Sequence, residues 1–243
     1  MKLVEIEKLN LEIDGKKLLK DIDFYIDNGE IVALAGESGS GKTLTTKFIL
    51  GILPERSIVN YDKFEKNCKI GAVFQNAFTS LNPIVKIGNQ LKKIYEGHYG
   101  KNPHWKEKVV EILDKVGIKD SSGVLEKYPF ETSGGEKQRI VIAGALIGNP
   151  QLLIADEVTT ALDLKTKNEV IHLFKNIQEK TGISILFISH DLEAIKGFAT
   201  RVYIMYKGEI VEENSCSKIF EKQSHPYAQK LIALSEKLWT RGE

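Results

Sequence analysis

Two cysteines in 243 residues, Cys68 and Cys216, are too few and too far apart for a disulfide framework, and no Cys-x-x-Cys pair offers a zinc site. That usage fits a reducing cytosol. An excess of charge of either sign is missing too. Basic residues number 34 and acidic ones 33, a formal net charge of +1, which leaves no electrostatic footprint for bulk nucleic-acid binding. Long apolar runs are absent. The longest uncharged one, Ile140 to Gly148, falls far short of the ~20 residues that a membrane-spanning helix needs, so any membrane role is expected to come through another chain. Met1 to Asn10 interleave charged and apolar side chains and contain no apolar core of a secretory signal. There is no internal repeat, no low-complexity segment and no sustained heptad pattern. What remains is a globular composition, 42% hydrophobic and 28% charged, long enough for one large domain or two lobes.

Within that composition, Gly36-Glu37-Ser38-Gly39-Ser40-Gly41-Lys42-Thr43 reads G-x-x-x-x-G-K-[ST]. It follows the apolar strand-like run Glu30 to Ala35 and precedes a helical stretch, Leu44 to Leu50. Glycines let successive backbone N–H groups curl around anionic oxygens, and the following helix aims its positive end at the same point. Lys42 adds a point charge for the β- and γ-phosphates, and the Thr43 hydroxyl is a ligand for Mg²⁺. A glycine-rich turn that binds nothing is the plain alternative. Eight positions in register, between a strand and a helix, argue against it.

Three further strand ends carry polar groups. Leu152 to Ala155 is apolar and ends in Asp156, placed to hold Mg²⁺. Glu157, if extended, points to the other side of the pleat, towards an attacking water. Ile183 to Ile188 ends in Ser189-His190, and Lys69 to Phe74 ends in Gln75. Singly, His190 and Gln75 are weak signals. Ser133-x-x-Glu136 before an apolar helix is a capping box, and Asp163 suits the N-cap of the helix that follows. Gly134 and Gly135 are costly in a first helical turn. They make sense where an anion must approach the backbone closely.

The pattern along the chain predicts an antiparallel β layer (residues 2–13 and 18–26) feeding the phosphate loop. Residues 55–68 read as polar and irregular. From 82 to 148 strand signals give way to helical ones, with helices expected over 87–95, 105–116 and 135–146. Strands then return at 152–155 and 183–188, a helix at 166–180, a hairpin around Lys207-Gly208 and a final helix from Pro226 to Trp239.

Taken in order, Gly36–Thr43, Gln75, Thr132-Ser133-Gly134-Gly135-Glu136, Asp156-Glu157, Ala161-Leu162-Asp163 and His190 resemble the ATP-binding subunit of an ABC transporter over essentially the whole chain. The resemblance implies an α/β P-loop NTPase fold with a RecA-like core, an N-terminal antiparallel β layer and an inserted helical lobe. It implies a single ABC ATPase domain: residues 1–79 and 149–215 as nucleotide-binding core with its β layer, 80–148 as the helical signature lobe, and 216–243 as a C-terminal helical tail. ATP and Mg²⁺ are the expected ligands. By the same resemblance Glu157 is the general base, His190 the γ-phosphate contact, Lys42 a catalytic cation and Gln75 a sensor. Nucleotide contacts are expected at Gly36, Glu37, Ser38, Gly39, Ser40, Gly41, Lys42, Thr43, Ser133, Gly134, Gly135 and Glu136, and Mg²⁺ at Thr43, Gln75 and Asp156. Expected partners are a second ABC ATPase subunit, identical or paralogous, arranged head to tail, and membrane permease subunits contacted through the Gln75–Leu91 region, with no nucleic acid. The expected location is cytoplasmic, peripheral on the inner face of the cell membrane.

Phe78 to Pro83, Tyr128-Pro129-Phe130 and His225-Pro226-Tyr227 resemble the peptide/nickel importer subfamily. The lack of a cysteine-bearing C-terminal extension tilts the expected cargo towards nickel or another metal chelate. Such subunits usually place an aromatic residue near positions 13 and 14 to stack on adenine; here stand Ile13 and Asp14. Glu136 replaces a common Gln, Thr132 a common Leu and Val158 a common Pro, and the stretch from Arg56 to Lys69 is short. The competing reading, a DNA-repair or chromosome-type ABC ATPase, would need a long coiled-coil insertion, for which the heptads are missing.

Overall fold

Alternation of apolar and polar residues builds the first layer. β1 (Lys2–Ile13) and β2 (Lys16–Asp27) pair antiparallel through Asp14-Gly15, both at positive φ, and turn Leu3, Ile6, Leu9, Leu11, Ile22, Phe24 and Ile26 inward. The computed structural model describes residues 1–74, 80–160 and 162–239. Residues 55–68, read as irregular, instead form two short strands, β4 (Ser57–Asn60) and β5 (Lys63–Lys66), both paired antiparallel with β1. Four-residue strands with Ile58 exposed carry almost no alternation. The pairing with β1 and an aromatic cluster of Phe48, Tyr61 and Phe64 organise them instead.

The central sheet has six strands in the order β10-β9-β3-β8-β7-β6: β3 (Ile31–Ala35), β6 (Ile70–Val73), β7 (Leu152–Asp156), β8 (Ser184–Ser189), β9 (Arg201–Tyr206) and β10 (Glu209–Ser215). All neighbours are parallel except β9 and β10, the hairpin turned by Lys207-Gly208. Every residue of β3, β7 and β8 is buried, as expected of parallel strands covered on both faces. On one face α1 (Lys42–Leu50) and the antiparallel layer enclose a core around Leu34, Ile49, Ile154, Leu186 and Tyr203. The other face packs under α2 (Ile87–Tyr99), α3 (Trp105–Lys115), α4 (Gly134–Leu146) and α5 (Leu164–Thr181). α5 stops at Gly182, φ 69°. Two C-terminal helices follow, α6 (Cys216–Glu221), which carries no distinctive periodicity, and α7 (Pro226–Trp239). Among the described residues no helix is long and apolar enough to cross a membrane.

Sheet register decides where chemistry can happen. Ala35 lies beside Ser189, and Asp156 beside Ile188. The chain therefore leaves the sheet at Gly36, Glu157 and His190 along one edge, outside the carboxyl ends of neighbouring parallel strands, where such sheets bind ligands.

Candidate active site

The phosphate loop begins where only glycine fits. At Gly36, φ 152°, a Cβ would stand 2.3 Å from the Met205 carbonyl oxygen. The loop ends at Gly41, which caps α1 without a side chain, so the first amides of that helix face the cleft with their partial positive charge. Lys42 is 3% exposed, and its Nζ donates to the carbonyls of Gly36 (2.8 Å) and Glu37 (2.9 Å). Burial pulls its pKa down, while Glu157 and Asp156 pull it back up. A cleft of about 440 Å³ opens here, lined among others by Ser38, Gly39, Lys42, Thr43, Asp156 and Glu157.

Asp156 ends β7 with 5% exposure, and its Oδ1 is buried with no hydrogen-bond partner among the described residues. Burial first, then the neighbouring Glu157 charge, push its pKa up to about 6. A buried, underused carboxylate oxygen in the cleft that Thr43 also lines is a hard-oxygen donor set that suits Mg²⁺.

Glu157 departs from the extended conformation expected of it. Its N–H still donates to the Ile188 carbonyl at 3.0 Å, the last rung of the parallel β7–β8 ladder, but its φ is 52°, so the chain turns out of the pleat at Glu157 itself. A left-handed non-glycine residue costs about 1–3 kcal/mol and clusters at functional sites. Here the bend places Glu157 Oε1 3.8 Å from Lys42 Nζ and 3.8 Å from His190 Nδ1, with Thr160 Oγ1 donating to Oε2. His190 is half exposed, at the rim.

Ser133 caps α4 as its spacing predicts. Its Oγ accepts from the Glu136 N–H (3.2 Å), and Glu136 Oε2 accepts from the Ser133 N–H (3.0 Å), which holds the Glu136 carboxyl below its ordinary pKa. None of residues 133–136 lines the cleft. Gly134 and Gly135 are exposed, and a Cβ on Gly135 would meet nothing within 4 Å. The structure therefore brings Lys42, Thr43, Asp156, Glu157 and His190 together and leaves Ser133–Glu136 facing outward. Gln75 and Ala161 lie outside the described residues. Ile13 ends β1 half-buried, and Asp14 is exposed, 3.6 Å from Arg56.

Three residues escaped the sequence reading. Gln138, buried on α4, donates to the Val158 carbonyl at 3.1 Å and so ties the helix after Ser133 to the segment after Glu157. Lys167 on α5 pairs with Asp191, whose Oδ1 also accepts from the Glu193 and Ala194 N–H groups, fixing the loop after His190. No spacing rule links such partners. A larger cavity, about 670 Å³, lies between the helical lobe and the far end of the sheet and contains none of these groups.

A phosphate loop, a buried aspartate ending a parallel strand and an adjacent glutamate on a doubly covered α/β sheet define a P-loop nucleotide hydrolase. The comparison with known proteins is more specific. The profile of the ABC transporter family matches residues 19–160, and the chain belongs to that family. The oligopeptide transport ATP-binding protein OppD of Bacillus subtilis (strain 168) is 38% identical over 244 residues, covering 93% of this chain and 68% of that protein. Among solved structures, cbiO1 from Clostridium perfringens, part of the ABC transporter complex cbiONQ, matches with a TM-score of 0.78 at 27% identity over 91% of each chain. A dimeric ATP-binding cassette in a post-hydrolysis state, bound to ADP and Pi, matches with a TM-score of 0.70 at 26% identity, over 88% of this chain and 98% of that one. The chain is an ATP-hydrolysing subunit that powers an ABC importer.

Proposed function

We propose that the chain drives an importer of short peptides or metal chelates as one of two ATPase subunits set head to tail, cytoplasmic and peripheral on the inner face of the membrane. The observation that carries this reading is the divided site. The phosphate cleft holds its own cation and carboxylates, while the two glycines in the capped first turn of α4 are exposed and lie outside that cleft. An ATP held by Gly36–Thr43 would meet Ser133–Glu136 of a second subunit. The permease would dock on the Gln75–Leu91 region, where Ile84 stands 82% exposed. The relatives' names favour peptides, since OppD is an oligopeptide transport protein. Uptake assays in cells lacking this chain, comparing oligopeptides with nickel, decide the cargo; a defect in neither removes both.

In the mechanism, the α1 amides and Lys42 bear the charge of the β- and γ-phosphates. Glu157 accepts a proton from the attacking water as the new oxygen–phosphorus bond forms and the bond to ADP breaks. His190 donates to a γ-phosphate oxygen and steadies the Glu157 carboxylate beside it. Asp156, Thr43 and Gln75 would hold Mg²⁺, which would supply charge neutralisation at the phosphates. In Glu157→Gln, ATP binds with near wild-type affinity, turnover falls at least about 100-fold, and closed dimers accumulate. Turnover assays and light scattering with ATP check this; unaltered turnover removes Glu157 from the role of base.

A further inference from the structure

His225-Pro226-Tyr227 has no part in the mechanism above, yet His225 and Tyr227 are both engaged. Glu212, a buried carboxylate on β10, accepts from the backbone N–H groups of Ser224 (3.0 Å) and His225 (2.8 Å). His225 Nδ1 accepts from the Tyr227 N–H at 3.2 Å, and Pro226 opens α7, where a missing N–H costs nothing. The Tyr227 ring stacks on Tyr206 at 4.0 Å between centroids and 23° between planes. Its hydroxyl accepts from the Glu37 N–H at 3.0 Å. That N–H and the Gly36 carbonyl belong to one peptide unit, and the Gly36 carbonyl accepts from Lys42 Nζ at 2.8 Å. A single peptide of the phosphate loop is thus gripped from both ends, by the catalytic lysine and by the C-terminal helix. Gly36 has the backbone freedom to let that peptide turn. Nearby, the β9–β10 turn holds the same loop, with the Gly208 N–H donating to the Ser40 carbonyl at 2.9 Å.

We propose that Tyr227 is a positioning residue for nucleotide binding: by fixing the Gly36–Glu37 peptide it holds Lys42 ready for phosphate, so that the C-terminal helix sets the affinity of the phosphate loop. The proposal rests on the reading of Lys42 as a phosphate contact. Tyr227→Phe keeps the stacked ring and removes only the acceptor. The full-length variant should bind ADP, which is not consumed, about three- to tenfold more weakly than wild type, the range expected for one lost hydrogen bond. Its nucleotide-free melting temperature should stay within about 2 °C of wild type, less than the fall that 1 kcal/mol of lost stability brings in a chain of this size. Tyr227→Ala should lose both affinity and stability, and phenylalanine should restore the stability alone. Calorimetric titration with ADP and thermal unfolding measure the two quantities. Wild-type affinity in the phenylalanine variant overturns the proposal. So does a melting temperature that falls as far in Tyr227→Phe as in Tyr227→Ala, because the contact then serves the fold. Failure of the wild-type chain to bind ADP at all would instead overturn the phosphate-loop reading.

Discussion

Asp156 carries its charge where water is scarce. Its folded-state pKa of about 6 lies above the ordinary 3.8, chiefly because burial penalises the ionised form. Between those values the folded protein binds more protons than the unfolded chain, so stability falls as pH rises through the window and the loss is complete above about 6. In metal-free protein, Asp156→Asn should therefore be more stable than wild type at about pH 8, by on the order of 3 kcal/mol, with the gain vanishing below about pH 4. Denaturant melts at the two pH values, in chelator, check this. A variant less stable at both values refutes the assignment of an uncompensated buried charge. Asp156, Lys42 and Thr43 were legible in the sequence because a phosphate loop and an apolar strand end fix residue types at set offsets. Gln138 and Lys167 were not, since they reach partners 20 and 24 residues away that only the folded topology brings near. Glu157's left-handed φ was hidden as well, because an apolar run ending in two carboxylates reads as a strand that simply continues.

Elements whose ends carry their own chemistry were the readable ones. Asp163 Oδ1 accepts from the Thr166 N–H at 3.0 Å, and Oδ2 from the Thr166 hydroxyl at 2.7 Å, so α5 starts within two residues of its expected position and stops at Gly182. Asp163→Ala should cost about 1 kcal/mol, a fall of about 2–4 °C in melting temperature for a chain of this size. Thermal unfolding measures it, and an unaltered melting point shows the cap to be dispensable. The central strands were readable as fully apolar runs. The short strands β4 and β5 and helix α6 were not. They are short, and neighbours rather than their own periodicity hold them: β1 pairs with both strands, and Ile219 and Cys216 of α6 sit in the main core. A reader of sequence sees elements that organise themselves and misses those that others organise.

On the scale of the whole molecule, two cores share one sheet, and the phosphate loop, Asp156 and Glu157 lie along one edge of it, while the capped start of α4 lies apart and faces outward. The order of motifs along the chain made the family legible, and the resemblance carried with it the expectation that Ser133–Glu136 serve a second subunit's site. Gly135 tests that division because its two roles have opposite signs. In the isolated chain a glycine in the first turn of α4 only weakens the helix, and a Cβ there meets nothing within 4 Å. Gly135→Asp should thus fold with stability equal to wild type or up to about 1 kcal/mol higher, since a carboxylate suits a helix N-terminus. It should bind ADP as wild type does, because the phosphate cleft lies elsewhere. In the closed pair the same carboxylate would stand against the second subunit's γ-phosphate, so ATP-driven dimerisation should be lost and turnover fall at least about tenfold, the size of one unfavourable charge contact of ~1.4 kcal/mol or more. Thermal unfolding, ADP titration, light scattering and turnover separate the four quantities. A stable variant that still dimerises and hydrolyses ATP at the wild-type rate would show that Ser133–Glu136 do not complete the site of another subunit.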